Sequence, residues 1–131
     1  MKKSNIKCPY CGSPAQLRPA SAIGKTGAGD SMKRFYVCAR YPFCDSYVQA
    51  HRKSGLPMGS LANKELRRKR YEAHLALARL RQRGYMSKAD AYRWLQTQMG
   101  ILEADAHIGK FTEYRCDETI RLCDGFLRKA A

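Results

Sequence analysis

The chain has no apolar run approaching the ~18 residues of a membrane-spanning helix. Its opening Met1-Lys2-Lys3-Ser4-Asn5 leads into no apolar core of an export signal. The expectation is a cytoplasmic protein with no membrane partner. Carboxylates are scarce, with only Asp30, Asp45, Glu65 and Glu72 in the first 85 residues. Asn5 and Asn63 are the only asparagines. That leaves little from which to build an HNH-type nuclease or a two-metal centre. The best remaining acidic cluster is Glu103, Asp105 and His107, and a single satisfied histidine in a turn is commoner than a catalytic one. Gly24-Lys25-Thr26 invites a phosphate-loop reading, but Pro19 stands where the motif needs its first glycine and no long βαβ context surrounds it. The chain therefore reads as non-catalytic.

What it has in excess is positive charge, +14 over 131 residues, and that charge is segregated. Residues 1–59 carry 10 Lys/Arg against 2 Asp/Glu, residues 60–85 carry 8 against 2, and residues 86–131 carry 7 against 7. A one-sided excess makes a directional field that attracts polyanions, nucleic acid being the most abundant. A solvated basic face without a dedicated ligand is the bland alternative. At 44% apolar content the chain can bury a modest core, in one ordinary domain or two small ones.

Four of the six cysteines come as two close pairs, Cys8-x2-Cys11 and Cys38-x5-Cys44, the first within Cys8-Pro9-Tyr10-Cys11-Gly12. In a reducing compartment such pairs are better explained by metal than by disulfides. Zinc takes four soft donors at the corners of a tetrahedron, and two short turns brought together by a hairpin supply them. Gly12 permits the positive φ that turns backbone N–H groups toward the sulfurs. With four thiolates no coordination position stays open for water, so one Zn2+ would hold the fold rather than catalyse hydrolysis. His51 is then not needed as a ligand, and His74 reads as a surface or interface group. Cys116 and Cys123, seven residues apart on a helix, are separated by ~10.5 Å along its axis, too far to chelate as a pair. They read as packing residues.

The expected fold is α+β: a zinc ribbon over residues 1–50, a Gly/Pro-punctuated connector over 51–59 and a helical region over 60–131. Strands are expected around Gln16-Leu17-Arg18, Arg34-Phe35-Tyr36-Val37 and Ser46-Tyr47-Val48-Gln49-Ala50, with a flexible loop at Gly24–Ser31. A basic amphipathic helix from near Ser60 to Gly84 carries Leu66, Ala73, Leu77 and Leu80 on one face. Ser87-Lys88-Ala89-Asp90 starts a second helix that stops at Gly100, and a third runs from about Glu113 to Leu127 with the stripe Cys116, Ile120, Cys123, Leu127.

Around the second cysteine pair Phe35, Tyr36, Tyr41, Phe43 and Tyr47 interleave with Arg34 and Arg40. Alternation along a strand should leave one or two of these rings exposed beside arginine, an arrangement suited to stacking on unpaired bases. Cys38-Ala39-Arg40-Tyr41-Pro42-Phe43-Cys44, with Phe35 before it and Cys8-Pro9-Tyr10-Cys11-Gly12 as partner, resembles the C-terminal zinc ribbons of bacterial type IA topoisomerases, with their Cys-x-x-Tyr-Pro-x-Cys pattern. Over residues 6–50 the resemblance implies Cys8, Cys11, Cys38 and Cys44 as ligands, and Phe35 and Tyr41 as rings stacking on single-stranded DNA. Here Met32-Lys33-Arg34 replaces the glycine-rich turn usual before that strand. The whole chain, through Gly59-Ser60-Leu61-Ala62-Asn63, Ala91-Tyr92-Arg93-Trp94-Leu95 and His107-Ile108-Gly109, is similar to a family of small zinc-finger-containing proteins of unknown function from bacteria and phages.

The reading is a nucleic-acid-binding accessory protein favouring single-stranded DNA or RNA. Phe35 and Tyr41 would stack, while Arg34, Arg40, Arg67, Arg68, Lys69 and Arg70 neutralise phosphates. The alternative is a protein-interaction module whose basic helix docks on an acidic protein.

Overall fold

The computed structural model describes residues 6–130; Met1–Asn5, with Lys2, Lys3 and Asn5, and Ala131 lie outside the described residues. The chain divides into two compact units, Met1–Lys64 and Glu65–Ala131. Three strands, β1 (Ala15–Pro19), β2 (Arg34–Cys38) and β3 (Tyr47–Gln49), form an antiparallel sheet in the order β1-β2-β3. Three helices follow, α1 (Lys64–Gln82), α2 (Lys88–Met99) and α3 (Glu113–Ala130), with short 3-10 turns at Glu103–Asp105 and Ile108–Lys110 before the last. The fold is α+β.

In the first unit β2 is buried on both faces, which its run of aromatic and β-branched residues favours. Alternation sends Tyr36 and Cys38 to one side, into a cluster with Cys8, Ala50 and Leu61. It sends Phe35 and Val37 to the other, against Ala20, Ile23, Tyr41 and Tyr47. The segment expected to be a connector does much of the covering. Ala50 pairs with Pro57 and Tyr47 with Ala62 as isolated bridges, Met58 N–H donates to the Gln49 carbonyl at 2.9 Å, and the Tyr36 hydroxyl donates to the Gly55 carbonyl. Residues 51–62 are thus part of the sheet unit, and the boundary moves from 50 to 64. The basic helix correspondingly starts at Lys64 rather than Ser60, because the backbone around Ala62 is engaged by β3.

In the second unit the expected face of α1, Leu66, Ala73, Leu77 and Leu80, is buried. Ser87 caps α2 by accepting the Asp90 N–H at 3.1 Å, and Gly100 ends it in the left-handed region at φ 66°. Lys69 pairs with Asp117 at 2.7 Å and Arg79 with Asp124 at 3.8 Å, so α1 and α3 run in the same sense. Trp94 and Tyr85 meet Phe126 edge to face at 5.6 and 5.5 Å. On α3 the buried stripe is Cys116, Thr119 and Cys123; Ile120 and Leu127 are half-buried. Thr119 fits inside because its hydroxyl donates to the Arg115 carbonyl at 2.9 Å, satisfying the polar group within its own helix. None of these helices is long and apolar enough to cross a membrane.

Candidate metal centre

Two turns bring four thiols together. In the first, Gly12 takes φ 77° and donates its N–H to the Cys8 carbonyl at 2.9 Å, while Tyr10 N–H points at Cys8 Sγ at 3.4 Å. In the second, Tyr41 N–H donates to the Cys38 carbonyl at 2.9 Å and Arg40 N–H points at Cys38 Sγ at 3.5 Å. Both turns therefore aim the amide two residues after the cysteine back at its sulfur. The wider spacing of the second pair is taken up by Tyr41-Pro42-Phe43, which includes a cis Tyr41–Pro42 peptide and returns the chain to Cys44, whose N–H donates to the Arg40 carbonyl at 3.2 Å. β1–β2 pairing sets Ala15 opposite Cys38 and so brings the two turns side by side.

The Cys8, Cys11, Cys38 and Cys44 sulfurs lie within 4.8 Å of one another, with Cys8–Cys44 and Cys11–Cys38 at 3.5 Å. A tetrahedron with metal–sulfur bonds of ~2.3 Å has edges of ~3.8 Å, within this spread, so the donor set fits one zinc-sized ion. Ser46, fully buried, places its hydroxyl 3.0 Å from Cys8 Sγ and 3.7 Å from Cys44 Sγ. Burial works to raise the Cys8 thiol, but the Ser46 hydroxyl and the N–H groups of Tyr10 and Cys11 outweigh it and leave it lowered. The Ser13 hydroxyl and amide bring exposed Cys11 down to about 6, whereas burial pushes Cys38 up to about 12. A divalent cation bound here would be held by all four as thiolates.

Cys116 and Cys123 are buried, and burial pushes their thiols up to about 11 and about 12. They pack as neutral side chains. Replacing both by alanine is expected to leave the metal content of the protein unchanged and to cost ~1–3 kcal/mol in stability through small cavities, measured by elemental analysis and thermal melting. Loss of an equivalent of metal would instead make them ligands. Glu103, Asp105 and His107 are exposed, and among the described residues only the four-cysteine group forms a convergent ligand set.

Two of the expected contact residues need correction. Phe35 is 5% exposed, its ring 5.7 Å from Tyr47 and edge to face, so it fills the core and cannot stack on a base. Arg70 is 8% exposed, with Nε and Nη2 both donating to the Phe111 carbonyl at 3.1 Å, so it ties α1 to the turn before α3 rather than facing phosphates. Arg68 is held by Glu65 and Glu72, Lys69 by Asp117, and Arg67 is half-buried. Tyr41 is half-buried at 6.4 Å from Tyr47, while Arg34 and Arg40 are exposed. The freely presented ring is Phe43, 90% exposed, and Tyr10 on the first turn is 45% exposed. The wide spacing of the second pair was the available signal for Phe43: the turn needs only the first residues, so the surplus must bulge outward. Ser46 carried no such signal.

A small antiparallel sheet that gathers four thiols from two short turns defines a zinc-finger type of unit, joined in one chain to a helical unit. The model of a zinc-finger-containing domain family matches residues 4–125, and the chain belongs to that family. The match spans both units, so the helices belong to the family's domain as much as the cysteines do. No curated protein and no solved structure is significantly similar to the chain.

Proposed function

We propose that the protein is a non-catalytic, cytoplasmic zinc-ribbon protein that binds nucleic acid, favouring single-stranded DNA or RNA, through its first unit. One Zn2+ at Cys8, Cys11, Cys38 and Cys44 supplies a closed structural cross-link. The observation that carries the reading is the charge of that unit. Residues 1–64 hold 11 Lys/Arg against 2 Asp/Glu, leaving +9, with Phe43 and Tyr10 exposed on the cysteine turns and Arg40 beside them. Rings next to guanidinium groups suit stacking on unpaired bases with phosphates neutralised alongside. The helical unit contributes less than its sequence promised, because Arg68, Lys69 and Arg79 are paired with the protein's own carboxylates.

The test is fluorescence anisotropy with single- and double-stranded oligonucleotides across a salt series. Affinity is expected to fall steeply with salt, by about −0.7 in the log–log slope for each single-strand phosphate contact. Arg40→Gln should flatten that slope, and Arg68→Gln/Lys69→Gln should barely change it. No binding at low salt overturns the reading. An acidic protein as partner is favoured by a separate feature, exposed Tyr71 and Leu75 on the basic helix. A stoichiometric partner that survives nuclease treatment would support it.

A further inference from the structure

A second basic feature lies at the end of β2 remote from the cysteines. Antiparallel pairing sets Phe35 opposite Gln49, and Ala50 N–H donates to the Arg34 carbonyl at 2.9 Å. That register brings Lys33 and Arg34, entering β2, against His51 and Arg52, leaving β3. Between them is a cleft of about 170 Å³ to which Met32, Lys33, Arg34, Gln49, His51 and Arg52 contribute. No carboxylate lines it. Asp30 sits on Lys33 at 3.3 Å, whereas Arg34 and Arg52 have no ion-pair partner among the described residues.

The walls are fixed by main-chain bonds rather than by the charged side chains themselves. Ala20 N–H donates to the Lys33 carbonyl at 3.2 Å, His51 N–H to the Leu56 carbonyl at 2.7 Å, and Gly55 N–H to the His51 carbonyl at 2.9 Å. Cationic groups that would otherwise repel are therefore held at one cleft by a backbone that is already satisfied, and such a site gains from an anion that enters it. Two guanidinium forks suit the oxygens of a phosphate, and the Gln49 amide and His51 ring add further hydrogen-bond donors.

We propose that this cleft is a phosphate-binding subsite that takes one phosphate group of a bound nucleic-acid strand; its physiological use rests on the nucleic-acid reading above. Four residue steps of β2 separate Arg34 from Cys38, roughly 13 Å, so the cleft and the exposed ring Phe43 anchor a strand at opposite ends of the sheet.

The experiment compares the native chain with Arg34→Gln/Arg52→Gln, both exposed positions, by anisotropy and by the His51 ring resonances in NMR. Three titrants are used: oligothymidine with a terminal hydroxyl, the same strand terminally phosphorylated, and inorganic phosphate. The double variant should keep its amide spectrum, bind both strands about tenfold more weakly at low salt, and lose about 0.7 from the salt slope, the equivalent of one phosphate. His51 should shift with each titrant in the native protein and not in the variant. Equal losses for the two strands assign a backbone phosphodiester, and a loss confined to the phosphorylated strand assigns a chain terminus. Native-like affinity and slope in the variant, or a His51 signal that no titrant moves, overturns the subsite. If the native protein binds no strand but inorganic phosphate still shifts His51, the nucleic-acid reading falls while the oxyanion site stands.

Discussion

A chelator strong enough to remove the metal is expected to unfold residues 6–62 while the three helices persist. The sheet has strands of only five, five and three residues, and two of the thiols, Cys8 and Cys38, are themselves members of its larger buried cluster. Without an ion the two turns would have to hold four crowded sulfurs together with no bond between them. Structural zinc contributes on the order of 10–16 kcal/mol of apparent binding free energy, comparable with the whole stability of a typical domain. The second unit buries its own residues, including Leu77, Leu80, Leu95 and Ile108, and contains none of the four clustered thiols. Amide resonances of the sheet should therefore collapse on chelation and return on titration with zinc, and far-ultraviolet dichroism should keep most of its helical signal. Cys38→Ser should behave like the chelated protein even with zinc present. A sheet that stays dispersed without metal would show that packing alone folds it.

The second large effect separates two phenylalanines eight residues apart. Phe35→Ala removes a ring from the cluster of Ala20, Val37 and Tyr47 and is expected to cost ~3–5 kcal/mol in stability. Phe43→Ala removes a ring that touches mostly solvent, so stability should change little. Single-strand binding should instead weaken by ~1–3 kcal/mol with the salt slope intact, because stacking releases no counterions. Melting and anisotropy on the same two variants give opposite rank orders. If Phe43→Ala binds like the native chain, the exposed ring has no part in recognition.

The elements legible in the sequence were those written in local pattern. The run Arg34-Phe35-Tyr36-Val37 is β2, Ser87 and Gly100 bound α2, and the spacing from Cys116 to Cys123 marks the buried side of α3. The convergence of Cys8, Cys11, Cys38 and Cys44 was legible for the same reason, since each pair is a local turn. What escaped was decided by pairings distant in sequence. Nothing near Phe35 states that Ala20 and Tyr47 will cover it, and nothing near Arg70 states that the Phe111 carbonyl will be its acceptor. The stretch 51–59 looked like a linker because Gly55 and Pro57 punctuate it, yet turn residues also let a chain fold back along a strand.

That fold-back bears on how the sheet avoids self-association. β3 is last in the strand order, and its outward groups would form a ready template for another chain were they bare. They are not: Tyr47 exchanges hydrogen bonds with Ala62 at 3.1 Å in both directions, and the Gln49 carbonyl accepts from Met58 at 2.9 Å. A fragment cut at Ala50 would retain every cysteine of the metal centre and still expose this row, together with the apolar surface that Leu61 covers. Its fate would be aggregation rather than monomeric metal binding. The shortest piece that keeps this border closed runs to Ala62.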